Sequence, residues 1–217
     1  MSTAFVVRLR RSLRPNAPEA ATDETLRRGL DVAVAVLGLV ILSPLLALIG
    51  LLIKLESRGP IFFRQKRIGK DERPFEIIKF RSMTVTRPAE RTEINVGDIE
   101  SFLFRPAGRT TAIGRALRAC SLDELPNLLN VLRGDLHLVG PRPDEPELVA
   151  QYRPEWRQRH RVKPGITGLA QVNGRTDLTY REMMAYDLDY AESHPFSRDI
   201  RIMLKTLGVV LRREGAR

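Results

Sequence analysis

From Val32 to Ile53 the chain runs VAVAVLGLVILSPLLALIGLLI, 22 residues without a charge. As one straight helix this segment would be about 33 Å long, close to the hydrocarbon thickness of a bilayer. A secretory signal peptide fits poorly: the run starts late and is too long, and Lys54 follows it where a small-residue cleavage site would be needed. Ser43 and Pro44 divide the run into Val32–Leu42 and Leu45–Ile53, and each arm reaches only about 14–17 Å, half a bilayer. Pro44 lacks an N–H and crowds the carbonyl of Val40, which predicts a kink at mid-depth. The Ser43 hydroxyl can then serve a carbonyl that the kink frees.

The polar flanks bear on whether the run spans or returns. Arg8, Arg10, Arg11, Arg14, Arg27 and Arg28 precede it, against Glu19, Asp23, Glu24 and Asp31. Nine basic and four acidic residues follow between Lys54 and Ser82. Short basic flanks prefer the cytoplasmic side, and a spanning helix would export one of the two clusters. A helix–break–helix hairpin keeps both inside, so a re-entrant helix is expected, with everything after Lys54 cytoplasmic. The chain then divides into a basic arm with the start of the membrane helix (1–29), a re-entrant helix broken at Ser43-Pro44 (30–55), and a cytoplasmic domain (56–217).

Within that domain, Phe62–Gln65 and Phe75–Phe80 are strand-like, joined by a polar turn around Gly69–Arg73. The period of two puts Phe75, Ile77, Lys79 and Arg81 on one face, so two cations project together. A solvated strand edge guarded by Lys and Arg reads the same way. Residues 84–112 are polar and short of periodic apolar positions, which predicts a loop. Helical character resumes over Ile113–Arg118, and Pro126–Arg133 reads as a short apolar helix stopped by Gly134. Pro141-Arg142-Pro143 and Pro164-Gly165-Ile166-Thr167-Gly168 read as rigid turns. At the end, Ile200, Met203, Leu204, Leu207, Val210 and Leu211 follow helical spacing, with Arg198, Arg201, Lys205, Arg212 and Arg213 among or after them. That pattern fits a basic helix lying in a lipid interface and equally a core-facing surface helix. The expected fold class is α+β, mainly helical and monotopic, with a re-entrant broken helix, a small β-hairpin and interfacial amphipathic helices.

Over 217 residues, 36 Lys and Arg against 26 Asp and Glu give a net charge of +10, which calls for an anionic partner. Basic clusters without interleaved aromatic residues argue against a nucleic-acid platform and leave an anionic phospholipid surface or a phosphorylated substrate. One cysteine, Cys120, excludes a disulfide framework and a Cys-based zinc site.

Ser121-Leu122-Asp123-Glu124-Leu125-Pro126 carries the sharpest chemical signal. Ser121 and Glu124 fit a capping box, but Pro126 would then sit too deep in the helix. With Pro126 as the first helical residue, Asp123 and Glu124 stand just ahead of a helix N-terminus, which favours their ionised forms. Adjacent carboxylates there can divide two tasks, one attacking an electrophile and one holding a divalent cation. Arg142 between two prolines, Arg175 after Asn173-Gly174, and Arg115 and Arg118 three apart on a helix could join Lys79 and Arg81 around a pyrophosphate. His137, His160 and His194 show no metal spacing and read as structural, and Tyr152 and Trp156 read as packing residues.

The runs LSPLLALIGLLIKLESRGPIFFRQKRIG, FEIIKFRSM, SLDELPNLLNVLRGDLHLVGPRP and VKPGITGLAQVNGR resemble the bacterial sugar transferases, the monotopic phosphoglycosyl transferases that start glycan assembly on a polyprenyl phosphate. The resemblance covers roughly Thr25 to Leu211 and lacks the extra spanning helices of larger members. It implies a re-entrant helix broken at Ser43-Pro44 and a nucleophilic Asp123 that attacks the β-phosphate of a UDP-sugar. UMP leaves, and the aspartyl-linked sugar phosphate passes to polyprenyl, in particular undecaprenyl, phosphate. Glu124 matches the residue that helps hold Mg²⁺, for which Mn²⁺ can substitute. Lys79, Arg118, Arg142 and Arg175 match basic positions of the site. Ala107-Gly108-Arg109, Asn127, Leu136-His137 and Asp189 depart from the usual pattern, the first of these bearing on donor preference.

The resemblance places the protein at the bacterial inner membrane with its catalytic domain on the cytoplasmic face, in exopolysaccharide, capsule, O-antigen or glycoprotein glycan synthesis, and it is compatible with an oligomer. The competing reading is a membrane-tethered basic binding or scaffold protein without catalysis.

Overall fold

The apolar run forms two helices rather than one. In the computed structural model, which describes residues 17–84, 110–174 and 177–212, α1 (Ala17–Ile41) is followed after Leu42 by α2 (Ser43–Glu56). Their axes bend by 62°. Pro44 offers no N–H to the Val40 carbonyl, and the Ser43 hydroxyl donates to that same carbonyl at 2.8 Å, as the sequence predicts. Helical bonding resumes at once, with Leu46 N–H reaching the Leu42 carbonyl at 2.8 Å. No single described helix is long and apolar enough to cross a membrane, whereas the bent pair meets that test by length and composition.

α1 starts at Ala17, with Pro18 in the first turn, where its missing N–H has no helical partner to lose. Its inner face is pinned to the rest of the molecule. Arg27 Nε donates to Asp199 at 2.6 Å and Arg28 donates to the carbonyls of Val131 and Leu132, capping a helix end. Asp31 accepts from the Leu138 N–H at 3.0 Å and lies 2.5 Å from His137 Nδ1. His137 is therefore structural, as expected. The outer faces are apolar and bare: Leu37, Val40 and Ile41 on α1 and Leu48, Leu51 and Leu55 on α2 are each more than half exposed.

After α2 comes the expected hairpin, β1 (Phe62–Ile68) antiparallel to β2 (Pro74–Phe80), with Phe62 opposite Phe80 and Gln65 opposite Ile77. Its turn, Lys70–Glu72, closes with Gly69 N–H on the Arg73 carbonyl. β2 packs on α2 through a cluster of Ile49, Ile53, Phe80 and Leu117. α3 (Ala112–Ala119) contributes Leu117 and is capped by the Thr111 side chain. A Cβ on Gly114 would lie 1.9 Å from the Ser82 carbonyl oxygen, so only glycine lets α3 approach the chain leaving β2 this closely.

A 3₁₀ turn over Leu122–Asn127 leads into α4 (Leu128–Arg133), ended by Gly134 at φ 87°, the expected stop. β3 (His137–Val139) then pairs in parallel with β4 (Gly165–Thr167). The expected turn over 164–168 is thus partly a strand. Three residues are too few for an alternating pattern, and Gly165 is there because a Cβ would meet the Gly140 nitrogen at 2.1 Å. Between them lie α5 (Pro146–Val149) and a 3₁₀ segment, Pro154–Arg161. α6 (Tyr180–Glu192), opened by a Thr179/Glu182 capping box, and α7 (Phe196–Arg212) close the chain.

The main core joins Ala35, Leu128, Val131, Leu136, Val139, Tyr190 and Ile202. A second, aromatic cluster holds Tyr152, Trp156, Tyr180 and Met184. On α7, Asp199 and Ile202 face inward while Leu204 and Leu207 stay more than 60% exposed. The helix therefore has one stripe in the core and an exposed leucine stripe outside. The described secondary structure is mainly helical with small sheets, an α+β fold. The start of the basic arm, most of the 84–112 loop, and Arg175 lie outside the described residues.

Candidate active site

Asp123 and Glu124 sit inside the Leu122–Asn127 turn, ahead of α4. Neither sequence-based geometry is adopted. Ser121 takes a left-handed conformation, φ 55°, and its side chain does not cap the turn. Pro126 lies within the 3₁₀ turn, and α4 starts at Leu128. Glu124 is drawn out of a capping role by two cations: Lys79 Nζ on β2 donates to its Oε1 at 3.0 Å and Arg142 Nη2 donates to the same atom at 2.8 Å. Glu124 is therefore held by side chains far away in sequence, Lys79 and Arg142.

The two carboxylates are shifted in opposite directions. Burial alone would raise the Glu124 pKa, but the Arg142 and Lys79 charges overcome it and hold the group far below the usual carboxylate range. Glu124 stays ionised as the anchor of both cations. Asp123 is half-buried and makes no hydrogen bond or ion pair with the described residues. Burial and the neighbouring Glu124 charge push its pKa up, while Lys79, Arg142 and Arg118 only partly offset this. A carboxylate that faces cations without being bonded to them keeps its lone pairs for another electrophile.

Arg118 on α3 lies with Nη1 3.9 Å from Met83 Sδ and contributes to the positive field at Asp123. Arg115, on the same helix, is exposed and turns back to the Thr110 carbonyl. Burial and the Arg142 charge lower the Lys79 pKa, countered by Glu124. The structure thus brings Lys79, Arg118 and Arg142 together around the acid pair.

Arg81 departs from its expected place. Its guanidinium, 4% exposed, donates to the carbonyls of Ile53, Ser57 and Arg58 and to the Ser57 hydroxyl. It caps the C-terminal end of α2 and is not directed at the acids. The two-residue period would put Lys79 and Arg81 on one face, but β2 ends at Phe80, and Arg81, beyond it, meets the carbonyls at the end of α2.

Arg142 is fixed by more than its two prolines. Arg159, 3% exposed, donates through Nη2 to the Arg142 carbonyl at 2.6 Å, and Arg67 donates to the Pro143 carbonyl at 3.3 Å. The adjacent Asp144 carboxylate accepts from Arg159 and from the hydroxyls of Tyr152 and Tyr180. Asp187 pairs with Arg159 at 2.6 Å from the other side. Sequence reasoning missed this network and assigned Tyr152 to packing alone. A carboxylate directly after Pro-Arg-Pro is the one local signal for it, while nothing in Pro154–Arg161 marks Arg159 among its neighbouring arginines.

Among the described residues no group of three or more His, Cys, Asp or Glu could hold a metal ion by itself. Mg²⁺ characteristically binds one or two carboxylates and completes its shell with substrate phosphates and water. Asp123 and the second oxygen of Glu124 fit that all-oxygen donor set. The arrangement as a whole offers an open carboxylate inside a cradle of three cations, suited to attack on a phosphoryl group.

Comparison with known proteins agrees with this chemistry. Residues 22–213 match the family described as bacterial sugar transferase. A UDP-glucose:undecaprenyl-phosphate glucose-1-phosphate transferase of Caulobacter vibrioides is 41% identical over 215 residues, covering 94% of this chain and 77% of the relative. An undecaprenyl-phosphate glucose phosphotransferase of Komagataeibacter xylinus is also 41% identical, covering 88% of this chain and 36% of the relative. A UDP-N-acetylgalactosamine-undecaprenyl-phosphate N-acetylgalactosaminephosphotransferase of Aeromonas hydrophila is 38% identical, with 88% and 45% covered. The chain thus spans most of the first relative and under half of the other two. A match this long, with the acid pair and its cations brought together by the fold, places the chain in the bacterial sugar transferase family.

Proposed function

We propose that this chain transfers a sugar-1-phosphate from a UDP-sugar to undecaprenyl phosphate, releasing UMP, through a covalent intermediate on Asp123. The observation that carries the mechanism is the contrast within the acid pair: Glu124 is held by Lys79 and Arg142, while Asp123 has no bonded partner among the described residues.

An Asp123 carboxylate oxygen bonds to the β-phosphorus, and the bond from that phosphorus to the bridging oxygen breaks. UMP leaves with the bridging oxygen, and the sugar phosphate remains on Asp123 as an acyl phosphate. A phosphate oxygen of the lipid then attacks the same phosphorus. The Asp123 carboxylate is regenerated, and the product is a polyprenyl-diphosphate sugar. Lys79, Arg118 and Arg142 neutralise the diphosphate and the charge gathering on the departing UMP. Glu124 fixes two of those cations, so they need no reorganisation during the reaction. Mg²⁺ held by Glu124 and Asp123 would supply further neutralisation of the diphosphate.

The bent helix pair is the membrane element in this reading. Its two ends are tied to one domain, α1 through Arg27 and Arg28 and α2 through Arg81, which supports a segment that enters and returns on the same face. The bare apolar outer faces of α1 and α2 and the Leu204/Leu207 stripe on α7 suit hydrocarbon, and the basic flanks suit anionic lipid on the cytoplasmic side.

The test uses detergent-purified protein with UDP-sugar and Mg²⁺ and no lipid. Release of up to one equivalent of UMP, a sugar-phosphate mass adduct, and loss of both in Asp123→Asn are expected. UMP release that strictly requires polyprenyl phosphate would overturn the covalent route.

A further inference from the structure

Beneath the catalytic turn, on the side facing the bend of α1 and α2, lies an apolar cavity of about 280 Å³. Leu46, Ala47 and Gly50 of α2, Ile61, Phe80 of β2 and Pro126 line it. Two of these neighbour the chemistry directly: Pro126 shares the 3₁₀ turn with Asp123 and Glu124, and Phe80 follows Lys79. Among the described residues no charged one lines the cavity.

We infer that this cavity is the acceptor's hydrocarbon subsite and holds the isoprene units nearest the phosphate. The inference rests on the proposed transfer to a polyprenyl phosphate and adds which residues receive its chain. In such an acceptor one ester oxygen joins the phosphate to the first isoprene. When the phosphate reaches the phosphorus on Asp123, the first units must lie against whatever surface adjoins that turn. Leaving them in water would forfeit about 0.8 kcal/mol per unburied CH₂. The surface adjoining the turn on the membrane-facing side is this cavity. An apolar void of roughly 150 Å³ accepts a benzene-sized hydrocarbon, so the volume here suits the first one or two isoprenes. The remainder of the chain then leaves past the exposed outer face of α2 into the bilayer.

Small residues keep the space open. Gly50 already has Ile61 at 3.4 Å from where a Cβ would be, and Ala47 is exposed with only a methyl group on the cavity wall. Ala47→Trp fills the cavity from its open side. Leu48→Trp adds the same ring one position on, at a half-exposed residue outside the lining, and serves as the control for altered membrane contact.

The assay separates the half-reactions on full-length protein in detergent: UMP release without lipid, and transfer to farnesyl or undecaprenyl phosphate. In Ala47→Trp, KM for both acceptors is expected to rise about tenfold or more relative to Leu48→Trp, with UMP release per folded protein as the internal reference. An unchanged acceptor KM in Ala47→Trp, or an equal rise in Leu48→Trp, would overturn the subsite while leaving the transferase reading intact. A wild-type protein that releases no UMP from any UDP-sugar would instead remove that reading, and the subsite with it.

Discussion

Lys79 lies on β2 and Arg81 just past its end, yet the structure gives them separate tasks, and substitution should divide them. Arg81 makes four contacts from a buried guanidinium: 3.2 Å to the Ile53 carbonyl, 2.7 Å to Ser57 O, 3.0 Å to the Ser57 hydroxyl, and 2.9 Å to the Arg58 carbonyl. Hydrogen bonds from a charged donor contribute about 1.5–3 kcal/mol each, and bonds sharing one donor group are not additive. Arg81→Met leaves helix-end carbonyls without their donor and should cost about 3 kcal/mol. For a domain of this size that lowers the melting midpoint by about 6–12 °C. Arg81→Lys, which keeps the charge and part of the bonding, should recover about half. In both variants kcat/KM per folded protein should stay within about threefold of wild type, because Arg81 does not reach the acids. Lys79→Met, which releases Glu124 from one of its two cations, should lower kcat/KM by about 10²–10³, the loss typical for one electrostatic group at a reacting centre. Thermal melts in detergent and steady-state UMP release measure the two quantities. A drop of a hundredfold in kcat/KM for Arg81→Met with an unchanged melt would refute this division and return Arg81 to the substrate.

Two further outcomes follow from the network behind Arg142. Arg159→Lys keeps a cation between Asp144 and Asp187 but cannot also hold the Arg142 carbonyl. It should raise KM for the UDP-sugar about tenfold, and a change in melting temperature with KM unmoved would show that Arg159 is only structural. His160 stacks on Tyr152, and burial together with the Arg159 charge lowers its pKa to about 4 from 6.5. Because the folded state disfavours the protonated ring, the stability involved is fully present above pH 6.5 and falls away as pH drops toward 4. The loss amounts to about 3 kcal/mol. His160→Phe should flatten the melting temperature across that window, and an unchanged acid slope would exclude His160 as its origin.

Several features of the chain are decided within a few residues and are accordingly readable from it. The break at Ser43-Pro44 is one, since the missing N–H, the orphaned Val40 carbonyl and the hydroxyl that serves it all lie within one helical turn. The β1–β2 hairpin and the Gly134 stop are others. The identity of the acid pair was legible too, but its setting was not: the cations that hold Glu124 come from 45 and 18 residues away.

The sequence by itself determined the broken apolar helix, the hairpin, the basic C-terminal helix and the adjacent acids Asp123 and Glu124 as candidates, because local sterics and side-chain chemistry govern each of them. The tertiary structure alone decided that Arg81 caps α2 rather than facing phosphate, that Gly165–Thr167 is a strand, and that Asp144 and Arg159 secure Arg142. In each of these cases the deciding partner is distant in sequence, and an arginine's donors go to whichever acceptors the fold leaves unsatisfied.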